Sequence, residues 1–282
     1  INQNIVFDRL VGTGTNTLTF NAGNVDPTDE YDNDSSAIDG IHVIGQLSGT
    51  TDQANITFGT VGTDSNLTNF VNTATINSKG GSVKLFVDGD VSVQENISTN
   101  GGDFTVGDST GSLFANSFDN YVSGSGGSIT TNGGVINIST VVDTTANGDV
   151  TLGVLDNSTT SNSVLAGNII VTSGNDITLQ SAYNFNNTGT GANTSNEDPS
   201  YITFTLNADN AITLNQSIYD SAATTSVSPG DNYGNQDTLN LVLNGGLQEG
   251  STTGHVTIDA DIYTAGGNVL VSGVDFYSAG NI

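Results

Sequence analysis

Val91-Ser92-Val93-Gln94-Glu95-Asn96-Ile97-Ser98-Thr99-Asn100-Gly101-Gly102-Asp103-Phe104-Thr105-Val106 is the stretch on which the fold turns. Apolar residues stand two apart at Val91 and Val93, return after three polar residues at Ile97, and return again beyond a Gly-Gly pair at Phe104 and Val106. Alternation at period two marks a strand with one buried face. The same apolar-x-apolar phrase, closed by a third apolar residue four positions on, recurs at Ile177, Leu179 and Tyr183, at Ile212, Leu214 and Ile218, and at Val256, Ile258 and Ile262. The Gly-Gly pair recurs too, because Ile262 is followed by Gly266-Gly267 and then Val269-x-Val271. Another such pair precedes Val83-x-Leu85, and Val83 lies 21 residues before Phe104.

A unit of about twenty residues with two or three short strands separated by Gly, Asn and Asp turns is the length of one coil of a parallel β-helix. One coil cannot bury its own apolar face. Stacking places each strand beside its counterpart in the next coil, so inward Val, Ile, Leu and Phe form continuous rows while Thr, Ser and Asn face water. The corners need positive φ, which Gly adopts freely and Asn or Asp tolerate. The predicted fold is therefore all-β, a parallel β-helix solenoid with projecting loops. Residues 76–282 carry the regular coils with loop insertions, and residues 1–75 are irregular N-terminal coils of the same solenoid, with looser strands at 5–7, 17–20, 41–44 and 56–58. A separate β-sandwich over 1–75 is the alternative. Segments 24–39, 108–128, 184–200 and 221–237 lack clean alternation and read as loops or side hairpins, where insertion costs little.

Composition narrows the function classes. Only 34% of the 282 residues are hydrophobic, yet the periodic β-branched residues run throughout, which argues for an ordered β protein over a disordered chain. No helical spacing persists without Gly or Asn interrupting it. Twenty-nine acidic residues stand against Arg9, Lys79 and Lys84, a net charge of −26. Phosphate backbones and anionic lipid headgroups need a basic surface, so nucleic acid is excluded and an anionic membrane surface is disfavoured. Such a chain repels its own copies, and salt or divalent cations screen it, which suits a saline or calcium-containing exterior. Absence of Cys rules out disulfides and tilts toward export. Ile1-Asn2-Gln3-Asn4 shows no signal-peptide pattern, and no apolar stretch approaches a membrane span.

Gly148-Asp149-Val150-Thr151-Leu152, Asn175-Asp176-Ile177-Thr178-Leu179, Gly167-Asn168-Ile169 and Ala265-Gly266-Gly267-Asn268-Val269, with an echo at Asn55-Ile56-Thr57-Phe58-Gly59, carry a family likeness. The sequence resembles the β-helical repeats of filamentous-haemagglutinin-type exoproteins and related giant bacterial surface adhesins over most of 76–282 and more weakly over 41–75. The resemblance implies a right-handed parallel β-helix in a secreted or outer-surface protein engaged in adhesion, biofilm or envelope structure. Its partners would be other copies or neighbouring repeats of the same protein, and host or matrix glycans or proteins. It carries over no residue role, and the family's secretion-signal region has no counterpart here. Ala279-Gly280-Asn281-Ile282 repeats Ala166-Gly167-Asn168-Ile169, so the boundary falls inside a repeat, as in a fragment of a longer chain or a filament subunit whose ends meet others.

Candidate chemistry is sparse. Asp26, Asp29, Glu30, Asp32 and Asp34 form the densest acidic stretch, and alternating Asp and Asn on a loop can supply the oxygens that Ca²⁺ takes. The spacing matches neither an EF-hand nor a calcium-binding nonapeptide repeat, and a solvated acidic loop is the competing reading. Asp88 with Asp90, Asp259 with Asp261, and the segment around Asp231 and Asp237 are secondary candidates, otherwise turn residues. A lyase acting on acidic sugars needs cations that three basic residues hardly supply. A hydrolase needs only carboxylates, but its cleft usually offers Trp platforms, and Trp is absent. His42 and His255 have no marked partners. Tyr183, Tyr219 and Tyr263 form either an exposed aromatic ladder or a half-buried stack. Asn55, Asn66, Asn96, Asn137 and Asn215 begin Asn-x-Ser/Thr triplets, which composition alone explains. The expectation is an extracellular structural or adhesive protein, a solenoid segment of an adhesin or matrix filament, with no catalysis and no certain cofactor. A calcium-stabilised self-assembling envelope-layer or filament subunit and a carbohydrate-active β-helix enzyme are the alternatives.

Overall fold

A computed structural model describes residues 5–12, 17–20, 41–49, 55–58, 70–72, 75–78, 80–85, 91–107, 120–123, 127–140, 148–157, 167–185, 201–220, 238–247, 254–264 and 267–282, and every regular element among them is a β-strand. Strands are short because the alternating runs are short. The first coil holds β1 (Ile5–Gly12) and β2 (Thr17–Phe20), and the second β3 (Ile41–Gly49) and β4 (Asn55–Phe58). Three strands per coil follow: β5 (Phe70–Asn72), β6 (Ile76–Asn77) and β7 (Val83–Leu85); then β8 (Val91–Val93), β9 (Ile97–Ser98) and β10 (Phe104–Val106). The next two coils are β11 (Asn120–Ser123), β12 (Ser128–Thr130) and β13 (Ile136–Ser139), and β14 (Asp149–Leu152), β15 (Val154–Asp156) and β16 (Ile169–Ser173). They are followed by β17 (Ile177–Leu179), β18 (Tyr183–Phe185) and β19 (Tyr201–Ala208), and by β20 (Ile212–Leu214), β21 (Ile218–Asp220) and β22 (Thr238–Gly245). The last are β23 (His255–Ile258), β24 (Ile262–Tyr263), β25 (Val269–Ser272) and β26 (Asp275–Ser278).

Every ladder is parallel and joins a strand to its counterpart one coil on, which is the arrangement of a parallel β-solenoid. Three faces result. The first runs from β1 through β3, β5, β8, β11, β14, β17, β20 and β23 to β26, and the third from β2 to β25. The second comprises β6, β9, β12 and β15, and then β18, β21 and β24. β3 is long enough to serve two faces, pairing Ile41–Val43 with β5 and Leu47–Ser48 with β6.

Register explains the apolar phrase. Val150, Ile177, Ile212 and Val256 stand one above another on the first face, as do Val83, Phe104, Ile136 and Ile169 on the third. All twelve apolar positions of the repeated phrase are buried, none more than 4% exposed. Each such side chain contributes about 1.5–3 kcal/mol by leaving water, but only once a neighbouring coil covers it. Phe276, above Val256 with no described coil over it, is 52% exposed.

The bare coil is 20 residues from Val256 to Phe276 and 21 from Val83 to Phe104, whereas Ile212 to Val256 takes 44. The difference is inserted chain between faces, at 21–40, 59–69 and 108–119 from the third face to the first, and at 158–166, 186–200 and 221–237 from the second to the third. These segments lie outside the described residues, as do 24–39 and most of the other stretches read as loops. Two of those stretches are shorter than expected, because β11 lies within 108–128 and β18 takes the start of 184–200.

In four coils the corner between the second and third faces is built by one device. Ser78, Thr99 and Thr131 are buried, and each hydroxyl donates to the carbonyl three residues on, that of Gly81, Gly102 and Gly134, the last at 2.7 Å. Thr264 repeats it at 2.9 Å with Gly267. A buried hydroxyl must find a partner, and this turn supplies one in every coil that uses it.

Candidate functional site

Asp26, Asp29, Glu30, Asp32 and Asp34, with Asp39, Asp88, Asp90, Asp231, Asp237 and Asn66, lie outside the described residues. Among the described residues, no group of three or more His, Cys, Asp or Glu side chains is placed to hold a metal ion.

The remaining candidates are placed as follows. Asp259 and Asp261 flank the bend between β23 and β24. Asp261 Oδ1 accepts the backbone N–H of Asn281 at 2.8 Å and its side-chain amide at 2.9 Å, and these bonds hold its carboxyl below the ordinary range. That oxygen ties one coil to the next. His255 opens β23, and its Nδ1 lies 3.3 Å from Asp275 Oδ2, its cross-strand neighbour, with both side chains exposed. His42 lies in β3, two faces' worth of strand at the other end of the solenoid. The tyrosines separate. Tyr183 points inward, is buried, packs its ring 4.8 Å from that of Phe204 and donates its hydroxyl to Asn157 Oδ1 at 2.6 Å. Tyr219 and Tyr263 are paired neighbours on the outside of the second face, Tyr263 half-exposed. Among the triplets, Asn96 and Asn215 sit in exposed turns, and Asn137 is an outward residue of β13.

What the repeated Asp and Asn residues do is visible only in three dimensions. Asp149 Oδ1 accepts from Asn175 Nδ2 at 2.7 Å, and Asp176 Oδ1 accepts from Asn210 Nδ2 at 2.8 Å and from the Ala211 N–H at 2.9 Å. At the start of the third-face strands, Asp103, Asn168 and Asn240 each accept the backbone N–H of the residue one coil on, Val135, Thr203 and Asn268, at 2.8–3.0 Å. In these coils a short acceptor, at or just before the start of the inward-facing run, thus staples its coil to the next. In Gly148-Asp149-Val150-Thr151 and Gly167-Asn168-Ile169 the second residue is this acceptor, a position that the repeated phrase marks without showing what it bonds to.

The outer surfaces of the faces differ in charge. The first face presents a row of Thr151, Thr178, Thr213 and Thr257, flanked by Asp149, Asp176, Asp259 and Asp275. On the third face from β16 to β25, the central outward row is Ile170, Thr205, Val242 and Leu270. Beside it runs Thr172, Asn207, Asn244 and Ser272, in which Asn244 Nδ2 donates to Asn207 Oδ1 at 2.9 Å. On the other side run Asn168, Thr203, Asn240 and Asn268. β13 extends the surface with Asn137 and Ser139. None of these outward residues is charged, in a chain of net charge −26.

No family model, curated protein or solved structure matches this chain.

Proposed function

We propose that this chain is an extracellular scaffold, a solenoid segment of a secreted adhesin or matrix filament that binds its partners without turning them over. The observation that supports this reading best is the tolerance of the stack, in which coils of 20 and of 44 residues keep the same register on the same rows. A rod with that property holds inserted segments at intervals set by the strand spacing, about 4.8 Å per coil, whatever their length. Its acidic surface keeps copies apart in solution and selects against anionic partners. The reading is tested by small-angle scattering of the 282-residue chain together with retention on cells or matrix material. A rod-shaped particle that is retained, and releases no sugar from that material, agrees with it; a compact particle, or release of sugar, overturns it.

A calcium-stabilised, self-assembling envelope-layer or filament subunit is the second reading, favoured by the net charge of −26, which divalent cations screen more effectively than sodium does. Sedimentation with and without Ca²⁺ separates the two. Assembly into large particles only in calcium supports the subunit, and an unchanged monomer removes it.

A further inference from the structure

From the third face of the solenoid we infer a binding strip for a linear, uncharged polysaccharide lying along the rod axis across β13, β16, β19, β22 and β25. The inference rests on the adhesive reading above and assigns its ligand class and place. Three features carry it.

The first is charge. The first face carries four carboxylates in or beside the strands of its Thr row, whereas the strip's outward residues carry none, and among the described residues the carboxylates nearest it are at its edges, Asp209 after β19 and Asp103 one coil before β13. A polyanion would be repelled by the molecule as a whole, and a polycation would find its attraction on the other faces. An uncharged ligand is left, and along the centre of the strip it meets no carboxylate that it would have to desolvate.

The second is chemistry. A row of Ile170, Thr205, Val242 and Leu270 runs between two rows of amides and hydroxyls, and Ile170 and Leu270 are 37% and 57% exposed. A sugar ring has an apolar face and an equatorial rim of hydroxyls. Laid on this row over Ile170, Val242 and Leu270, it brings its rim to the Asn and Thr side chains on either side.

The third is shape. Five strands at about 4.8 Å and outward positions reaching about 13 Å along each strand make a patch about 19 Å long and about 250 Å² in area. A stable protein partner needs about 800 Å² per side, so the patch is too small for a second copy or another folded protein. A polymer occupying a narrow strip needs less, because several weak ring contacts add along its length.

The test uses the whole chain with amorphous cellulose and chitin as solid phases, and unbranched soluble β-glucan as competitor. Wild type is expected to be retained on at least one solid phase and released by the glucan, with little change between low and high salt, because no ion pair is made. Leu270→Asp and Thr205→Asp should each weaken retention at least about tenfold, and Thr213→Asp on the first face should leave it unchanged, with circular dichroism confirming folded protein in all three. Leu270→Ser serves as a second, uncharged probe if the aspartate variants do not fold. Failure of wild type to bind either solid phase overturns the strip, as does equal loss in Thr213→Asp. Loss on deleting 186–200 but not in Leu270→Asp overturns the strip while leaving the adhesive reading intact. Concentration-dependent self-association abolished by Leu270→Asp, without polysaccharide retention, would give the strip to a second copy instead.

Discussion

At the residue scale, the two glycines of one pair do different work. Gly101 has φ of +111° with open space around it, so it is there for its backbone conformation. Gly102 is there for contact, since an added Cβ would fall on the carbonyl of Gly81 in the coil before. Gly101→Ala should cost about 1 kcal/mol of unfolding free energy, and Gly102→Ala about 3 kcal/mol or more, because backbone and not a movable side chain must give way. Urea titrations of the two variants check the order, and a larger loss at Gly101 would contradict it. Asp209 offers a pH test. Burial at the turn after β19 raises its pKa, so its contribution to stability is full below the unfolded value and is lost as pH rises through the folded one. Asp209→Asn should therefore stabilise the protein near pH 7, and the gain should vanish below about pH 4. Melting temperatures at the two pH values decide it.

At the scale of elements, the corners set what can vary. In most coils three residues separate the first-face strand from the second, as 94–96, 180–182 and 215–217 do. Between β14 and β15 there is only Gly153, buried, and the second face is interrupted above it, with Tyr183 reaching Asn157 across the gap by its hydroxyl. Shortening one corner displaces the strand that follows, and ladder hydrogen bonds are lost on one face while the other two continue. The segment 221–237 is the opposite case. It joins β21 to β22, two strands already held by their own ladders to β18, β19, β24 and β25. Replacing it with a short Gly-Asn turn that still spans the gap should shift the melting temperature by less than about 4 °C, since loop closure changes only logarithmically with length. Calorimetry checks this, and a collapse of cooperative melting would show that the segment belongs to the fold.

At the scale of the whole molecule, charge and one-dimensional stacking oppose each other. Each coil gains its stability from the coils on either side, while a net charge of −26 spread along the stack favours expansion. Adding NaCl from about 10 mM to about 500 mM shortens the screening length from about 30 Å to about 4–5 Å, so the melting temperature should rise across that range. A flat or falling salt response would mean that the carboxylates are already compensated, by bound cations or by their hydrogen bonds.

The rows themselves were legible in the amino-acid order, because an inward residue of a β-coil must be apolar whatever lies beside it. Val91, Ile177, Ile212 and Val256 therefore announce themselves, and so does the absence of helix among the described residues. The roles of Asp103, Asn168 and Asn240 were not legible, since an acceptor on a turn looks the same whether it serves water, a cation or the N–H of the next coil. Only the stacked chain brings that N–H to it. The charge-free surface likewise needed the register: Ile170, Thr205, Val242 and Leu270 are separated by 28 to 37 residues from one to the next, and only the pairing of β16, β19, β22 and β25 makes them neighbours. Local pattern determines which side of a strand is buried; which outward residues meet is decided by the pairing of coils.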